Sequence, residues 1–185
     1  MSYNSLYRLF IADIPQIQVV RNSVKENTLS DPSLVTNADC ADYLMVRGCG
    51  WVCEIEGQIV GFAIVSVIDN NVWALFLDPA YEKRGIGRQL HDAMLDWYFS
   101  KTKATIWLST TPQTRAEGFY KAAGWQAVGM YGQDEVKFEM TCEMWYKFSL
   151  VSYHSYPVTS VIKSSYLLDS EGSSKQANNS SASSS

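Results

Sequence analysis

The sequence predicts a mixed α/β fold in one domain. Its 185 residues suit a single domain, and a hydrophobic content of 46% with 18% charged residues is enough for one packed core. Segments with the helical spacing of apolar residues alternate with β-rich segments along most of the chain. Three of the β-rich segments follow one another directly, which is typical of antiparallel strands joined by short turns. These observations exclude a chain that is disordered throughout.

The first predicted elements are a short strand and two helices. Residues 6–10 form the strand, and Asp13 is placed to cap the first helix. The apolar positions of that helix share one face: Ile14, Ile17, Val20 and Val24. Thr36 and Asp39 have the spacing of a capping box, so we expect a second helix that begins there and stops at Gly48.

The remaining elements complete the mixed order. Three antiparallel strands are predicted at residues 51–55, 59–66 and 72–77. The clearest helix begins after Gly85 and has an apolar face: Ile86, Leu90, Ala93, Met94 and Trp97. A strand at 105–109, a helix at 114–123 and strands at 125–131 and 136–142 follow.

The composition changes after the last predicted strand. Residues 1–143 form the predicted domain, residues 144–163 an aromatic extension, and residues 164–185 a Ser-rich tail. We expect the tail to be disordered because small polar residues cannot offset the entropy of ordering. The extension would be a liability if it were exposed. It therefore extends the last strand, packs on the domain or forms a homodimer contact, and the sequence leaves these three alternatives open.

Charge and hydropathy exclude several partners. Fifteen Lys and Arg against nineteen Asp and Glu give a net charge of -4, so nothing indicates a nucleic-acid partner. No apolar stretch approaches the roughly 20 residues that cross a bilayer, so we expect no membrane partner. The N-terminus lacks the features of a secretory signal, and we expect a cytoplasmic protein. The cysteines lack a nearby His to complete a zinc site, so we expect free thiols and no metal.

The most informative segment lies where the third antiparallel strand leads into a helix. Gly85 and Gly87 have no Cβ, so the backbone can come close to a ligand, and the first amides of a helix lack intrahelical acceptors. Lys83, Arg84 and Arg88 add three cations within six residues. A pyrophosphate would satisfy such a site. The alternative is an ordinary glycine turn with solvated charges.

Two kinds of nucleotide site fit this segment poorly. The chain has no GxxxxGK[ST] motif, so a Walker-type site is unsupported. Leu90 stands where the dinucleotide fingerprint requires Gly or Ala, and the preceding strands do not form a βαβ unit. An NAD-dependent oxidoreductase is therefore disfavoured.

The segment resembles the signature of the GNAT superfamily of N-acyltransferases, a strand followed by Gln/Arg-x-x-Gly-x-Gly/Ala at a helix start. The resemblance covers about residues 6–142 and implies a mostly antiparallel central sheet flanked by helices, with acetyl-CoA as co-substrate. Gly85 and Gly87 match the signature glycines, and Leu77 matches the residue whose backbone pairs with the pantetheine arm. The family's pyrophosphate loop falls on Lys83, Arg84, Gly85, Ile86, Gly87 and Arg88. Glu82 departs from the signature because the family has Gln or Arg there.

A second segment resembles the family's A-x-x-F/L-Y-x-x-x-G-F motif. Tyr120 falls on the tyrosine that acts as general acid in many members. The chemistry is reasonable because a phenol beside a departing thiolate can protonate it. The alternative is that Tyr120 packs with Phe119 on a helix face. Gln113 is a second departure, since many members carry there an Asn that contacts CoA.

The acceptor side is less well defined by the sequence. The resemblance implies that residues 21–35, between the first two helices, line it. Glu26 and Asp31 in this segment are candidates for holding an ammonium group. The general base stays open: Glu26, Asp31 and Glu54 are candidates by chemistry, and neither of the two histidines is favoured.

The expected function is that of a transferase. By resemblance, it moves an acetyl group from acetyl-CoA to a primary amine of a small molecule or peptide by direct attack, with Tyr120 assisting departure of the thiolate. The alternative is a non-catalytic acyl-CoA-binding module in which Tyr120 is idle. Turnover with an amine separates the two.

Overall fold

A computed structural model describes residues 4–24 and 35–153, with side chains up to residue 150. Contacts divide the chain into a unit from Met1 to Leu150 and a unit from Val151 to Ser185. The first unit holds the whole described sheet and the helices up to residue 150.

The described residues form five α-helices. These are α1 (Ile14–Ser23), α2 (Asn37–Asp42), α3 (Ile86–Lys101), α4 (Arg115–Ala122) and α5 (Cys142–Tyr153). A wider π-helical turn, Tyr43–Arg47, continues α2 up to Gly48, where its end was predicted. No helix among the described residues combines the length and the apolar character needed to cross a membrane.

The starts of the first two helices differ in how closely they follow the sequence pattern. Thr36 and Asp39 form the predicted capping box, since the Asp39 amide donates to Thr36 Oγ1 (3.1 Å) and the Thr36 amide to Asp39 Oδ2 (2.8 Å). Asp13 does precede α1, but its carboxylate accepts from the Phe10 amide at 2.9 Å and bonds no amide of α1. A 3₁₀ turn, Ile11–Asp13, stands between the first strand and α1, and the carboxylate closes that turn.

Seven strands form one mixed, mostly antiparallel sheet, as predicted. They are β1 (Asn4–Arg8), β2 (Gly48–Ile55), β3 (Gln58–Ser66), β4 (Asn71–Leu77), β5 (Ile106–Thr110), β6 (Gln126–Tyr131) and β7 (Glu135–Met140). Their order across the sheet is β1-β2-β3-β4-β5-β7-β6. Every neighbouring pair is antiparallel except β4 and β5, which are parallel.

The parallel pair opens the sheet at its middle. Within the described residues, β4 and β5 pair only at Asn71 and Trp107, and the Trp107 amide donates to the Asn70 carbonyl at 2.9 Å. Further along, β4 continues to Leu77 and β5 to Thr110 without pairing to each other. The two strands therefore separate toward their C-terminal ends.

Apolar clusters cover both faces of the sheet. Residues of α3, α4 and α5 bury one face, and residues of α1 and α2 bury the other. The inner strand β3 contributes to both clusters, with Ala63 and Val65 on the first face and Phe62 and Ile64 on the second. Burial on both faces explains the nearly continuous apolar sequence of this strand.

The aromatic segment that follows the sheet is helical. Trp145 of α5 is 2% exposed, belongs to the first cluster, and donates from Nε1 to Asp96 Oδ1 of α3 at 3.0 Å. Met144 and Phe148 pack against the same cluster. Of the three alternatives left open by the sequence, packing on the domain is the one seen for these residues.

Candidate active site

The turn after β4 leads into a helix start with free backbone amides. Gly85 is the N-cap of α3 and has a φ of +79°, a left-handed conformation that favours glycine. The first amide bonded within the helix is that of Gln89, which donates to the Gly85 carbonyl at 3.1 Å. The amides of Ile86 and Gly87 precede it and lack intrahelical acceptors. They form an anion site of the kind found at helix N-termini.

There is space for a ligand in front of these amides. A Cβ built on Gly85 or Gly87 would meet no atom within 4 Å. The Ile86 side chain is only 1% exposed and packs in the core, so it anchors the turn from behind. The backbone is therefore held in place while its open side admits a bulky anion such as a pyrophosphate.

The three predicted cations differ in their surroundings. Lys83 is exposed and has no ion-pair partner among the described side chains. Arg84 lies over the Tyr81 ring, 5.0 Å from Cζ to the ring centroid, and is exposed. Arg88 instead donates from Nε to Asp92 at 2.7 Å, so its side chain is engaged on the helix.

Glu82, the departure from the family signature, forms an ion pair with Arg115 at the first residue of α4. The pair connects the turn after β4 with the helix that follows β5. Both elements flank the place where the two strands separate. No local pattern indicates this contact, because the two residues are 33 positions apart in the sequence.

A cavity of about 450 Å³ lies at this place. The described residues that line it are Ser23 at the end of α1, Asp78 and Pro79 after β4, and Arg115 of α4. This volume is within the range of small-molecule sites, about 300 to 1,000 Å³. The Asp78 carboxylate is engaged in the turn, where it accepts from the Ala80 amide at 2.9 Å.

The backbone of Leu77 faces the separation between the strands. The Asp78 amide donates to the Val60 carbonyl of β3 at 2.8 Å, so it points toward β3. Because the backbone groups of successive strand residues point to opposite edges, the N–H and C=O of Leu77 point toward the β5 side. That edge of β4 can pair with an extended ligand.

Tyr120 lies on α4 and is 8% exposed. Its ring packs against Trp125 and Phe138, with centroids 5.8 and 6.3 Å away. Within the described part of the chain, its hydroxyl has no hydrogen-bond partner. Burial raises the pKa of Tyr120 above its ordinary value, so the hydroxyl keeps its proton at neutral pH.

The other candidate acids and bases are not gathered at the cavity. Glu26 and Asp31 fall outside the described residues. The Glu54 carboxylate accepts from the Tyr7 hydroxyl at 2.7 Å, at the β1–β2 side of the sheet. His91 is fully buried: Nε2 accepts from Trp125 Nε1 at 2.9 Å, which leaves Nδ1 to donate to Asp92 at 2.8 Å. Both ring nitrogens are thus committed to structural hydrogen bonds.

Sequence reasoning missed two arginines of this region. Arg115 lines the cavity, and Arg21 of α1 lies over aromatic rings of β3 and β4. Arg21 is four positions after Ile17 and so shares the apolar face of α1. A charged residue on that face was the signal that could have singled it out. Among the described residues, no group of three or more His, Cys, Asp or Glu could hold a metal ion.

A sequence model of the acetyltransferase (GNAT) family matches residues 13–125, which is more than half of the chain. The chain therefore belongs to this family, whose members transfer an acyl group from acyl-CoA. The match includes α1, the opening of the sheet, the glycine turn and Tyr120. A comparison with curated protein sequences finds no match.

Solved structures share the fold. The ribosomal-protein-S18-alanine N-acetyltransferase of Escherichia coli has a TM-score of 0.62 at 19% identity, covering 75% of this chain and 94% of that one. The PaiA N-acetyltransferase of Thermoplasma acidophilum, solved in complex with coenzyme A, has a TM-score of 0.63 at 17% identity, covering 75% and 99%. A GNAT-family acetyltransferase of Staphylococcus aureus Mu50 has a TM-score of 0.65 at 16% identity, covering 75% and 99%.

Proposed function

We propose that this protein is an N-acetyltransferase that moves an acetyl group from acetyl-CoA to a primary amine of a small molecule or peptide. The amine attacks the thioester directly, without an acyl-enzyme intermediate. The observation that carries the proposal is the separation of β4 from β5, which exposes the Leu77 backbone and continues into the free amides at the start of α3.

The residues around the glycine turn suit the donor. The amides of Ile86 and Gly87 hold the pyrophosphate through hydrogen bonds that the backbone has already oriented. Lys83 and Arg84 add positive charge at the exposed side of the turn. The Leu77 N–H and C=O pair with the amides of the pantetheine arm and so direct the thioester toward α4.

Tyr120 supports the chemical step. When bound, the thioester supplies the acetyl group together with a thiolate leaving group whose pKa is about 8.5. As the neutral amine attacks, the new carbon–nitrogen bond forms and the carbon–sulfur bond breaks, and Tyr120 donates its proton to the departing sulfur. The attacking nitrogen releases one proton, which restores the Tyr120 hydroxyl. The raised pKa of its hydroxyl ensures that this proton is present at neutral pH.

On the acceptor side, Glu26 and Asp31 hold the ammonium group of the incoming amine before it loses a proton and attacks. Their carboxylates are the acidic groups of the segment between α1 and α2. The cavity beside Ser23 and Arg115 is large enough for a small molecule or the end of a peptide.

The first test is calorimetric titration of acetyl-CoA into the wild-type protein and the Gly87→Glu variant. We expect micromolar binding to the wild type and at least about a tenfold weaker Kd for the variant, because a carboxylate in front of the amides repels the pyrophosphate. Gly118→Glu is a matched control, since Gly118 is also a helical glycine whose Cβ would meet nothing within 4 Å.

Thiol release from acetyl-CoA with a panel of primary amines then tests turnover. Equal binding by the Gly87 and Gly118 variants would refute the donor site. Binding without turnover of any amine would favour the non-catalytic acyl-CoA-binding module.

A further inference from the structure

Arg21, in the last turn of α1, has a buried guanidinium edge without a polar partner among the residues that the structure describes. Its Nε and Nη2 atoms are inaccessible to solvent and have no hydrogen-bond partner within the described structure. Buried donors in proteins are nearly always paired, and an unpaired buried charge is strongly unfavourable. A missing acceptor at this position therefore indicates a partner that the described chain does not supply.

The groups around Arg21 stabilise its charge without accepting its protons. Cζ lies over three aromatic rings, 5.0 Å from the centroids of Trp73 and Phe76 and 5.6 Å from that of Phe62. These rings favour a cation but offer no lone pair to an N–H group. Burial consequently lowers the pKa of Arg21 from its ordinary value.

Neither Cys40 of α2 nor Gln18, one turn before Arg21 on α1, accepts a hydrogen bond from Nε or Nη2. Cys40 is fully buried, and burial raises the pKa of its thiol, so it stays neutral. Gln18 Nε2 donates to the Val35 carbonyl at 3.0 Å.

Arg21 adjoins the cavity of the candidate active site along two chain segments. Ser23, two residues after Arg21, lines the cavity. On β4, Phe76 touches the guanidinium and lies two residues before Asp78, which also lines the cavity. The unpartnered edge thus lies next to the cavity, within two residues of its lining on both α1 and β4.

We propose that Arg21 binds a carboxylate of the acceptor, so that the substrate class is an amine that also carries a carboxylate, such as an amino acid. Nε and Nη2 form the side edge of a guanidinium, which holds the two oxygens of a carboxylate through two parallel hydrogen bonds. The inference rests on the proposed function, because it names the acceptor for the same site. Arg21 is here a specificity-determining residue and takes no part in proton transfer.

The test compares L-amino acids with their carboxamides, which keep the amine and lose the charge. Thiol release from acetyl-CoA gives kcat/KM for each member of a pair. For the preferred amino acid, we expect the wild type to favour the carboxylate by about tenfold to a hundredfold, as for a hydrogen bond to a charged group. Arg21→Met keeps the length and apolar contacts of the side chain and should bring this ratio to about one, with the carboxamide rate changed by less than about threefold.

Arg21→Lys is the second variant. It keeps the charge but loses the paired donors, so its ratio should lie between those of the wild type and Arg21→Met. If Arg21→Met fails to fold, the same ratio of kcat/KM values measured with Arg21→Lys still tests the inference. A wild-type protein without preference for carboxylates, or a ratio that both variants leave unchanged, would overturn the inference. Equal losses on carboxylates and carboxamides would assign Arg21 to packing and overturn it as well.

A binding measurement separates this inference from the proposed function. Calorimetry of the preferred amino acid with the CoA-saturated protein needs no turnover. Binding that is lost in Arg21→Met, in a protein that acetylates no amine, would support the carboxylate site and refute the N-acetyltransferase. Acetylation of amines that lack a carboxylate, at rates unaffected by either variant, would support the N-acetyltransferase and refute the carboxylate site.

Discussion

At Tyr120, packing and chemistry depend on different atoms of one side chain. The ring fills the core beside Trp125 and Phe138, while the hydroxyl has no partner among the described residues. Removing the hydroxyl should therefore alter catalysis without opening a cavity. The sequence motif alone could not separate these two roles, because both call for the same residue.

We predict that Tyr120→Phe lowers kcat by about a hundredfold or more, as for loss of a general acid. Because the ring stays in place, the free energy of unfolding should change by less than about 1 kcal/mol. Steady-state kinetics and chemical denaturation measure the two effects, and the Kd for acetyl-CoA should stay within about threefold.

Tyr98→Phe is the matched control for this variant. Tyr98 is also buried, but its hydroxyl donates to Asn70 Oδ1 at 2.7 Å, away from the proposed chemistry. This control should lose about 1 kcal/mol of stability and keep its kcat. If Tyr120→Phe retains wild-type kcat, Tyr120 is a packing residue only.

At the scale of elements, α5 connects the helices that carry the site. Trp145 bonds to Asp96 of α3, and Phe148 lies against Gly124, where an added Cβ would come within 2.8 Å of its ring. Gly124 has a φ of +85° and ends α4, so both its conformation and its contact with Phe148 require glycine. Arg88 also lies over the Phe148 ring, at 4.7 Å. The helix thus supports the glycine turn and the end of α4 from one side.

We predict that Trp145→Ala lowers the free energy of unfolding by about 3 to 5 kcal/mol, because it leaves a large cavity under α5. Tyr146→Ala, next to it on the exposed side of α5, should cost less than about 1 kcal/mol. Urea denaturation measures both. Similar losses in the two variants would contradict the docked position of α5.

At the scale of the whole molecule, the buried His91 links the stability of the fold to pH. Burial lowers the pKa of His91 from its ordinary value, and its Nε2 accepts from Trp125. The unfolded chain therefore binds a proton at this group at a higher pH than the folded chain does. The contribution of His91 to the free energy of unfolding is therefore fully present above the pKa of histidine in the unfolded chain, about 6.5. It is lost progressively as the pH falls below that value.

We predict that the free energy of unfolding decreases from pH 7 to pH 5.5, by up to about 1.4 kcal/mol per pH unit. His91→Gln should lack this slope, because Gln can still accept from Trp125 and does not titrate. The carboxylates with lowered pKa, such as Asp39 and Glu117, act at more acidic pH. An unchanged slope in His91→Gln would assign the dependence to other groups.

Local patterns were sufficient for most elements and for the glycine turn. The capping box at Thr36 and the apolar face of α3 each depend on residues within a few positions of one another, so both could be predicted from the sequence. The aromatic segment was harder, because Met144, Trp145 and Phe148 have helical spacing within a run that is apolar nearly throughout.

The order of the elements, the family and the location of the glycine turn could be predicted from the sequence, since these depend on spacing along the chain. Three features required the folded structure: β4 and β5 meet at one position, Glu82 pairs with Arg115, and the edge of Arg21 is buried without a partner among the described residues. The physical reason is that each of these features joins segments far apart in sequence. Their energies depend on packing and on the exclusion of water, which no local pattern encodes.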